Sequence, residues 1–343
     1  MGVDHPNKNR YFELIAEKFD LDVDVIKRIA EGESAGQKHS LISAVLDEFI
    51  KTSDDEMIFA MVWQGTPDTA FSNLPRYDWA GQVMEGLNLK LFKTGFTAQL
   101  FPINSIIADQ AYYERLLSKR PGAGFIILHP DNMKDIQALC NNKQIPYVVL
   151  AALSNTDLEQ IYMVRIDDKA LIRANVKFLY EMGHRRIAFI TGRLLHNAAG
   201  KRLQGYYEGL KDTGIPLNED WIVEGNWHEE GGYAATHRFL GLDERPTAIV
   251  ASNGLMAIGA IKCIQGAGLN VPDDISVMGC DDIADAMKDS PTLTTVHVPM
   301  THLGRKAGEY MISLLNGESP EPRQYYAETR IVPRESTAPP ARI

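Results

Sequence analysis

From residue 57 onward, the sequence alternates short apolar runs with longer amphipathic stretches. The runs with the length and composition of β-strands lie at residues 57–63, 97–101, 124–128, 147–150, 162–166, 187–191, 248–252 and 275–280. Helical apolar spacing fills most of the gaps, for example at residues 81–94, where Gly95 is well placed to end a helix. This alternation predicts right-handed βαβ units, and therefore an α/β fold with parallel sheets covered on both faces.

The chain is long and has too many strand–helix units for one small sheet. Its 343 residues, of which 45% are hydrophobic, predict two or three domains with sizeable cores. The expected crossings between two lobes are the polar stretch 152–160 and the segment after residues 291–296. We therefore expect a small all-α domain at 1–56 and a larger domain at 57–343. The lobes of the larger domain are expected at about 57–160 with 295–325, and at about 161–294 with 326–340.

Charge and cysteine content argue against several classes of protein. The formal net charge is −10, and residues 1–56 carry 13 acidic against 7 basic side chains, which disfavours non-specific attraction to nucleic acid. The three cysteines are too few and too scattered for a disulfide framework. We see neither an apolar run of about 18 residues nor the pattern of a secretory signal. These features predict a cytoplasmic protein without a membrane partner.

The motifs that point to catalysis are incomplete. A Gly-x-Ser-x-Gly pattern occurs at residues 32–36, but it follows a predicted helix, whereas a nucleophile elbow follows a strand. The stretch 228–232 begins His-Glu but lacks the second histidine of a zinc-protease helix, and no phosphate loop ends in Gly-Lys-Ser or Gly-Lys-Thr. We therefore expect no enzyme activity, no metal site and no cofactor.

Several motifs resemble those of one family of transcription regulators. They are MGHRRIAFITG at 182–192, RLQGY at 202–206, VPDDISV at 271–277, PTLTTV at 291–296 and VPREST at 332–337. In this order and spacing they resemble the lactose and galactose repressor (LacI/GalR) family. The resemblance implies two lobes like those of type I periplasmic sugar-binding proteins. It also implies that crossover strands join the lobes and that a small effector binds in the cleft between them.

Two predicted strand ends carry polar residues that are candidates for effector binding. Asn253 follows the strand at 248–252, and Asp281 follows the strand at 275–280. Both are well placed, because ligands of open α/β sheets bind beyond the carboxyl ends of the strands. The resemblance also puts Asp281 at the family's effector carboxylate position. The alternatives are a helix N-cap or turn residue for Asp281 and a strand-end cap for Asn253.

The other groups that a polyol needs are present too, namely hydrogen-bond donors and an aromatic face. Arg202 opens a predicted amphipathic helix and is the candidate donor; the alternative is a solvated or interlobe salt bridge. Trp227 matches the family's stacking aromatic, with an ordinary core residue as the alternative. His196 stands where some relatives place a polar contact, but a surface histidine would fit equally well.

Two aromatic residues are candidates from the other lobe. Trp79 and Tyr77 lie just ahead of the helix at 81–94, where the resemblance implies aromatic contacts with the effector. Core packing is an equal alternative for both. Gly254 is a departure, because the family usually has an aspartate after the asparagine, and it leaves the identity of the sugar open.

Residues 14–32 have the length and apolar spacing of the family's helix-turn-helix. The apolar positions are Ile15, Ala16, Leu21, Val25, Ile26 and Ile29. The residues that the resemblance makes candidates for DNA contact are Val23, Lys27 and Arg28. A recognition helix also needs cations against the phosphates, and this one offers Asp22 and Asp24 instead.

The family's longer linker, with a hinge helix that enters the minor groove, is replaced here by the six residues 51–56. Two hypotheses therefore stand. In the first, a homodimeric transcription regulator binds a small carbohydrate or related polar metabolite and changes its affinity for an operator DNA. In the second, a cytoplasmic carbohydrate sensor no longer binds DNA and signals through a protein partner.

Overall fold

A computed structural model describes residues 56–62, 78–92, 94, 96–102, 124–128, 137–138, 140–142, 144–150, 160–283 and 291–341. Four candidate residues lie outside these ranges: Val23, Lys27, Arg28 and Tyr77. Their roles, and the predicted helix-turn-helix, therefore remain predictions. By contacts, Glu56–Ile343 forms one compact unit.

Six parallel strands form the first sheet. In chain order they are β1 (Glu56–Val62), β2 (Phe96–Pro102), β3 (Gly124–Leu128), β4 (Tyr147–Leu150), β5 (Met163–Arg165) and β11 (Gln324–Tyr326). Their order across the sheet is β11-β5-β4-β3-β1-β2. Helices α1 (Asp78–Leu91) and α6 (Met300–Leu315) pack against each other and against this sheet. All five residues of β3 are buried, as expected for a parallel strand covered on both faces.

Four parallel strands form the second sheet, in the order β7-β6-β8-β9. They are β6 (Ile187–Thr191), β7 (Ile222–Glu224), β8 (Ala248–Ala251) and β9 (Ser276–Met278). The helices of this lobe are α2 (Asp168–Glu181), α3 (Asn197–Thr213), α4 (Glu229–Leu240) and α5 (Gly254–Gly266). Of these, α2 packs with α3 and α4 packs with α5.

Strand β6 shows how the sheet is covered on both sides. Ile187 and Phe189 belong to the core cluster that contains residues of α2 and α3, whereas Ala188 and Ile190 belong to the cluster with residues of α4 and α5. Successive side chains of a strand point to opposite faces, so one apolar run of this kind supplies two cores. The predicted α/β fold with parallel sheets is confirmed for the described residues.

A third, antiparallel pair consists of β10 (Thr295–His297) and β12 (Arg330–Val332). Strand β10 begins within residues 291–296, after which the second crossing between the lobes is expected. The other expected crossing, 152–160, lies almost wholly outside the described residues. Strand β5 belongs to the first sheet, although it lies just after residue 160, where the second lobe was expected to begin.

Predicted and observed boundaries agree best for β3, β4 and β6 and differ most for the first helix. Helix α1 covers Asp78–Leu91 rather than 81–94, and the backbone N–H of Thr94 donates to the carbonyl of Leu91 in a closing turn. Four strands were not predicted: β7, β10, β11 and β12. Each has only three residues, too few to show a strand's alternating pattern.

Helices α4 and α5 approach closely because glycines face backbone carbonyls. A Cβ at Gly259 would lie 2.0 Å from the carbonyl oxygen of Glu229, and a Cβ at Gly232 would lie 2.0 Å from that of Met256. The two contacts are reciprocal, so neither helix can carry a side chain there without moving away. This packing positions the N-termini of both helices. Among the described helices, none is long and apolar enough to cross a membrane.

Candidate ligand-binding site

The carboxyl ends of the second sheet bring several candidate residues together. Trp227 lies three residues beyond β7, Asn253 two residues beyond β8, and Asp281 three residues beyond β9. Arg202 comes from α3, the helix that follows β6. Parallel strands end at the same edge of a sheet, which is where ligands bind in open α/β folds.

Arg202 is buried and is held by partners from three elements. Its Nε donates to Oδ1 of Asp168 at 2.7 Å, and its Nη1 donates to the carbonyl oxygen of Ser252. Its Nη2 lies 3.5 Å from Oδ1 of Asp281. The side chain is only 8% exposed, so it is not a solvated arginine. Its three partners belong to the same lobe as Arg202, the lobe of the second sheet, so it does not form an interlobe salt bridge. Helix α3 begins at Asn197, so Arg202 lies inside the helix rather than opening it.

Asp281 presents a carboxylate oxygen that lacks a hydrogen-bond partner. Its backbone is left-handed, with φ 82°, and its N–H donates to the carbonyl of Val296 at 3.1 Å. The Oδ1 atom is buried and makes no hydrogen bond. An unsatisfied buried acceptor is costly, and a ligand hydroxyl that donates to it would remove that cost.

Electrostatics couple Arg202 to its two acidic neighbours. Burial raises the pKa of Asp281, and the nearby Arg202 charge only partly opposes that shift. Burial also tends to lower the pKa of Arg202, but the charges of Asp281 and Asp168 outweigh it and hold the Arg202 pKa above its usual value. The guanidinium therefore stays charged, and it stabilises the two carboxylates around it.

Trp227 and His196 form a hydrogen-bonded pair. The indole N–H of Trp227 donates to Nδ1 of His196 at 2.9 Å, and the two rings are nearly parallel, with an interplanar angle of 15°. Because Nδ1 accepts, the proton of a neutral His196 ring is on Nε2. Trp227 has a left-handed backbone, with φ 70°, and Asn253 Nδ2 donates to its carbonyl at 2.8 Å. The indole also lies against Gly192, where an added Cβ would be 2.0 Å from Cζ2 of the indole.

Asn253 is the N-cap of α5, since its Oδ1 accepts from the backbone N–H of Met256 at 3.0 Å. The capping role considered from the sequence is therefore present, and the ligand contact remains a prediction. The departure at Gly254 has a steric reason. A Cβ at this residue would lie 2.9 Å from Cγ1 of Ile283 and 3.1 Å from the carbonyl oxygen of Cys280.

Trp79 lies on α1 and is half-buried against the hydrophobic core, in agreement with the core-packing alternative. A contact between Trp79 and a ligand stays a prediction. Trp227 is likewise half-buried against the core of the second lobe. The structure thus brings Arg202, Asp281, Trp227, His196 and Asn253 together.

Sequence reasoning missed Asp168, the closest acidic partner of Arg202. Asp168 follows Asp167, which caps α2 by accepting from the N–H of Ala170 at 3.0 Å. An acidic residue in the first turn of a helix is ordinary, so Asp168 gave no sign of a different role. Its contact with Arg202 spans 34 positions of the chain. No local pattern reports a pair that distant.

The chain is similar in sequence and in fold to known proteins. Residues 176–337 match the periplasmic binding protein-like domain family. The HTH-type transcriptional repressor PurR of Yersinia pestis (strain Pestoides F) is 31% identical over 261 residues, which cover 75% of each chain. The structure of the regulator CelR in complex with cellobiose has a TM-score of 0.74 and 24% identity, covering 95% of this chain and 99% of that one. The structure of the Lac repressor dimer bound to operator and the anti-inducer ONPF has a TM-score of 0.70 and 23% identity, and the match covers 85% of this chain and 98% of that one.

The two parallel sheets, the separate antiparallel pair and the strand-end site are those of a periplasmic-binding-protein-like domain. The predicted fold class is confirmed for this domain. The chain belongs to the lactose and galactose repressor (LacI/GalR) family of ligand-responsive transcription regulators. The relatives named above are transcriptional regulators rather than enzymes.

Proposed function

We propose that this protein is a transcription regulator whose effector is an uncharged, polyhydroxylated small molecule, with carbohydrates as the first class to test. The observation that carries the proposal is the buried Oδ1 of Asp281, which accepts no hydrogen bond although it lies 3.5 Å from the charged Nη2 of Arg202. One hydroxyl of a vicinal diol would donate to this carboxylate. The neighbouring hydroxyl would accept from a guanidinium N–H that Asp168 and Ser252 leave unused, since a guanidinium has five N–H donors.

The aromatic side of the site supports the same ligand class. The half-buried indole of Trp227 offers an apolar face for the C–H surface of a sugar ring, and its polar N–H is already used by His196. Asn253, His196, Trp79 and Tyr77 are further candidate contacts. The relative CelR was solved as a complex with cellobiose, so we include that disaccharide in the test panel.

In this proposal, the effector changes the population of lobe orientations and thereby the affinity for an operator. DNA would be contacted through residues 1–56, with Val23, Lys27 and Arg28 in the recognition helix, and two copies would act as a homodimer. The support is the family: PurR is an HTH-type repressor, and the Lac repressor relative is a dimer on its operator.

Isothermal titration calorimetry with a panel of uncharged mono- and disaccharides, cellobiose included, tests the effector class. We expect at least one sugar to bind the native protein and the variant Asp273→Asn, which changes an exposed aspartate elsewhere in the same lobe. Asp281→Asn should weaken that binding about 10- to 100-fold, because a hydrogen bond to a charged group contributes about 1.5–3 kcal/mol. Equal affinity in the two variants would remove Asp281 from the site, and a panel without any binder would contradict the carbohydrate proposal.

The second candidate is a sensor that signals through a protein partner without binding DNA. It is favoured by Asp22 and Asp24 in the predicted recognition helix and by the short linker 51–56. Selection of sheared genomic DNA on the full-length protein, with and without the sugar panel, separates the two. A discrete palindromic site whose recovery changes with a sugar supports the regulator, and recovery of no site supports the sensor.

A further inference from the structure

One guanidinium in the candidate site is shared by two carboxylates, the buried Asp168 and the partly buried Asp281. Asp168, in the first turn of α2, is bonded to Nε of Arg202 at 2.7 Å, and Asp281, after β9, lies 3.5 Å from Nη2. The side chain of Asp168 is 6% exposed and that of Asp281 is 20% exposed. The three groups together therefore carry one net negative charge when both carboxylates are ionised.

Arg334, a cation that follows β12, is already engaged by Asp282, the residue next to Asp281. Arg334 Nη2 donates to Oδ1 of Asp282 at 2.6 Å, and Nδ1 of His297 lies 3.1 Å from Oδ2 of the same residue. These contacts hold the pKa of Asp282 below its usual value against the opposite effect of its burial. Arg334 thus pairs with Asp282, and among the described residues no cation other than Arg202 pairs with Asp168 or Asp281.

From this arrangement we propose that Asp168 determines the charge of the effector: the site accepts uncharged hydroxylated ligands and rejects phosphorylated or carboxylated ones. The inference rests on the proposed function for the position of the site, and it deepens that function by naming the residue that sets the charge of the accepted ligand. Asp168 acts through Arg202, so it is a specificity-determining residue without a required ligand contact of its own.

The physical reason is that the positive charge of Arg202 is already neutralised by the two carboxylates of Asp168 and Asp281. In a site with one carboxylate, a guanidinium can pair with a phosphate bidentately. Here the Nε edge is taken by Asp168 and Nη1 by the carbonyl of Ser252. A phosphate next to Nη2 would also approach Asp281, and the repulsion is weakly screened because the groups are buried. A neutral hydroxyl pair meets no such penalty, since it donates to one group and accepts from the other.

The test uses inorganic phosphate as the probe, titrated calorimetrically into the full-length protein in a phosphate-free buffer. Asp168→Asn keeps the shape of the side chain and removes one negative charge. We expect it to bind phosphate at least about tenfold more tightly than the native protein, because a unit charge at this range in a partly buried site changes affinity by that much or more. Adding Arg202→Gln to Asp168→Asn should abolish the gain.

The matched control is Asp212→Asn, which removes a carboxylate that pairs with an arginine, Arg173, at the surface of the same lobe. It should leave phosphate affinity unchanged. Equal phosphate affinity in the native protein and Asp168→Asn overturns the inference. If Asp168→Asn does not fold, the native protein still decides, because phosphate binding below about millimolar concentration contradicts the inference.

The two proposals fail in different ways. A sugar panel without any binder, together with the expected phosphate results, would contradict the carbohydrate effector and leave the role of Asp168 standing. Tight binding of glucose 6-phosphate but not glucose by the native protein would overturn the role of Asp168 and leave a ligand-responsive regulator. Binding of glucose or cellobiose without their phosphorylated forms supports both.

Discussion

The glycine contact between α4 and α5 makes a sharp prediction, because both helices begin beside the candidate site. Gly259 lies where an added Cβ would be 2.0 Å from the carbonyl oxygen of Glu229 and 2.8 Å from the backbone nitrogen of Tyr233. Both atoms belong to the backbone, so no side chain can rotate to make room. Gly259→Ala therefore requires the two helices to separate.

Two opposing effects set the change in the free energy of unfolding that Gly259→Ala should cause. Overpacking of this kind costs about 1–3 kcal/mol. Replacing glycine by alanine inside a helix recovers about 0.5–1 kcal/mol, because alanine loses less backbone entropy on folding. The expected net loss in the free energy of unfolding is about 1–2 kcal/mol, which lowers the melting temperature by about 2–4 °C per kcal/mol in a domain of this size.

The assay is thermal unfolding followed by circular dichroism, with Gly266→Ala as the matched control. Gly266 is the last residue of the same helix, and its added Cβ would meet only the hydroxyl of Tyr233 at 3.8 Å, an ordinary contact. We expect Gly266→Ala to be neutral or stabilising by up to about 0.5 kcal/mol. Equal melting temperatures for the two variants would refute the argument that contact with the backbone, rather than helix propensity, determines the stability of Gly259→Ala.

Two other predictions use the same protein preparation. His184 is buried between Thr247 and the carbonyl of Ala338, at 3.0 and 2.9 Å, and burial lowers its pKa below the ordinary 6.5. The folded protein therefore binds fewer protons than the unfolded chain just below pH 6.5. We expect the free energy of unfolding to be at its full value above that pH and to decrease as the pH falls below it. His184→Gln should flatten this pH dependence, as measured by melting curves between about pH 5 and 7.5. Gly192→Ala should push the indole of Trp227 out of place, because the added Cβ would lie 2.0 Å from Cζ2. Calorimetry with the best sugar of the panel should then show affinity lowered at least about tenfold, comparable to the loss of one charged hydrogen bond, whereas Gly200→Ala, an open position in α3, should bind that sugar as the native protein does.

Much of the fold was predictable because buried parallel strands are continuous apolar runs. The predicted boundaries 124–128, 147–150 and 187–191 match β3, β4 and β6. In a strand covered on both faces every position favours an apolar side chain, so the run itself marks the element. The three-residue strands β7, β10, β11 and β12 were not predictable, because their pairing with distant strands defines them.

The sequence by itself determined the fold class, the family and the residue types at the ends of β7, β8 and β9. These depend on local apolar patterns and on motifs that are contiguous in the chain. Only the tertiary structure decided how the site is charged and shaped. It paired Arg202 with Asp168, left an oxygen of Asp281 without a hydrogen bond, and joined Trp227 to His196. The physical reason is that each of these contacts joins residues far apart in sequence, and burial then sets their strength.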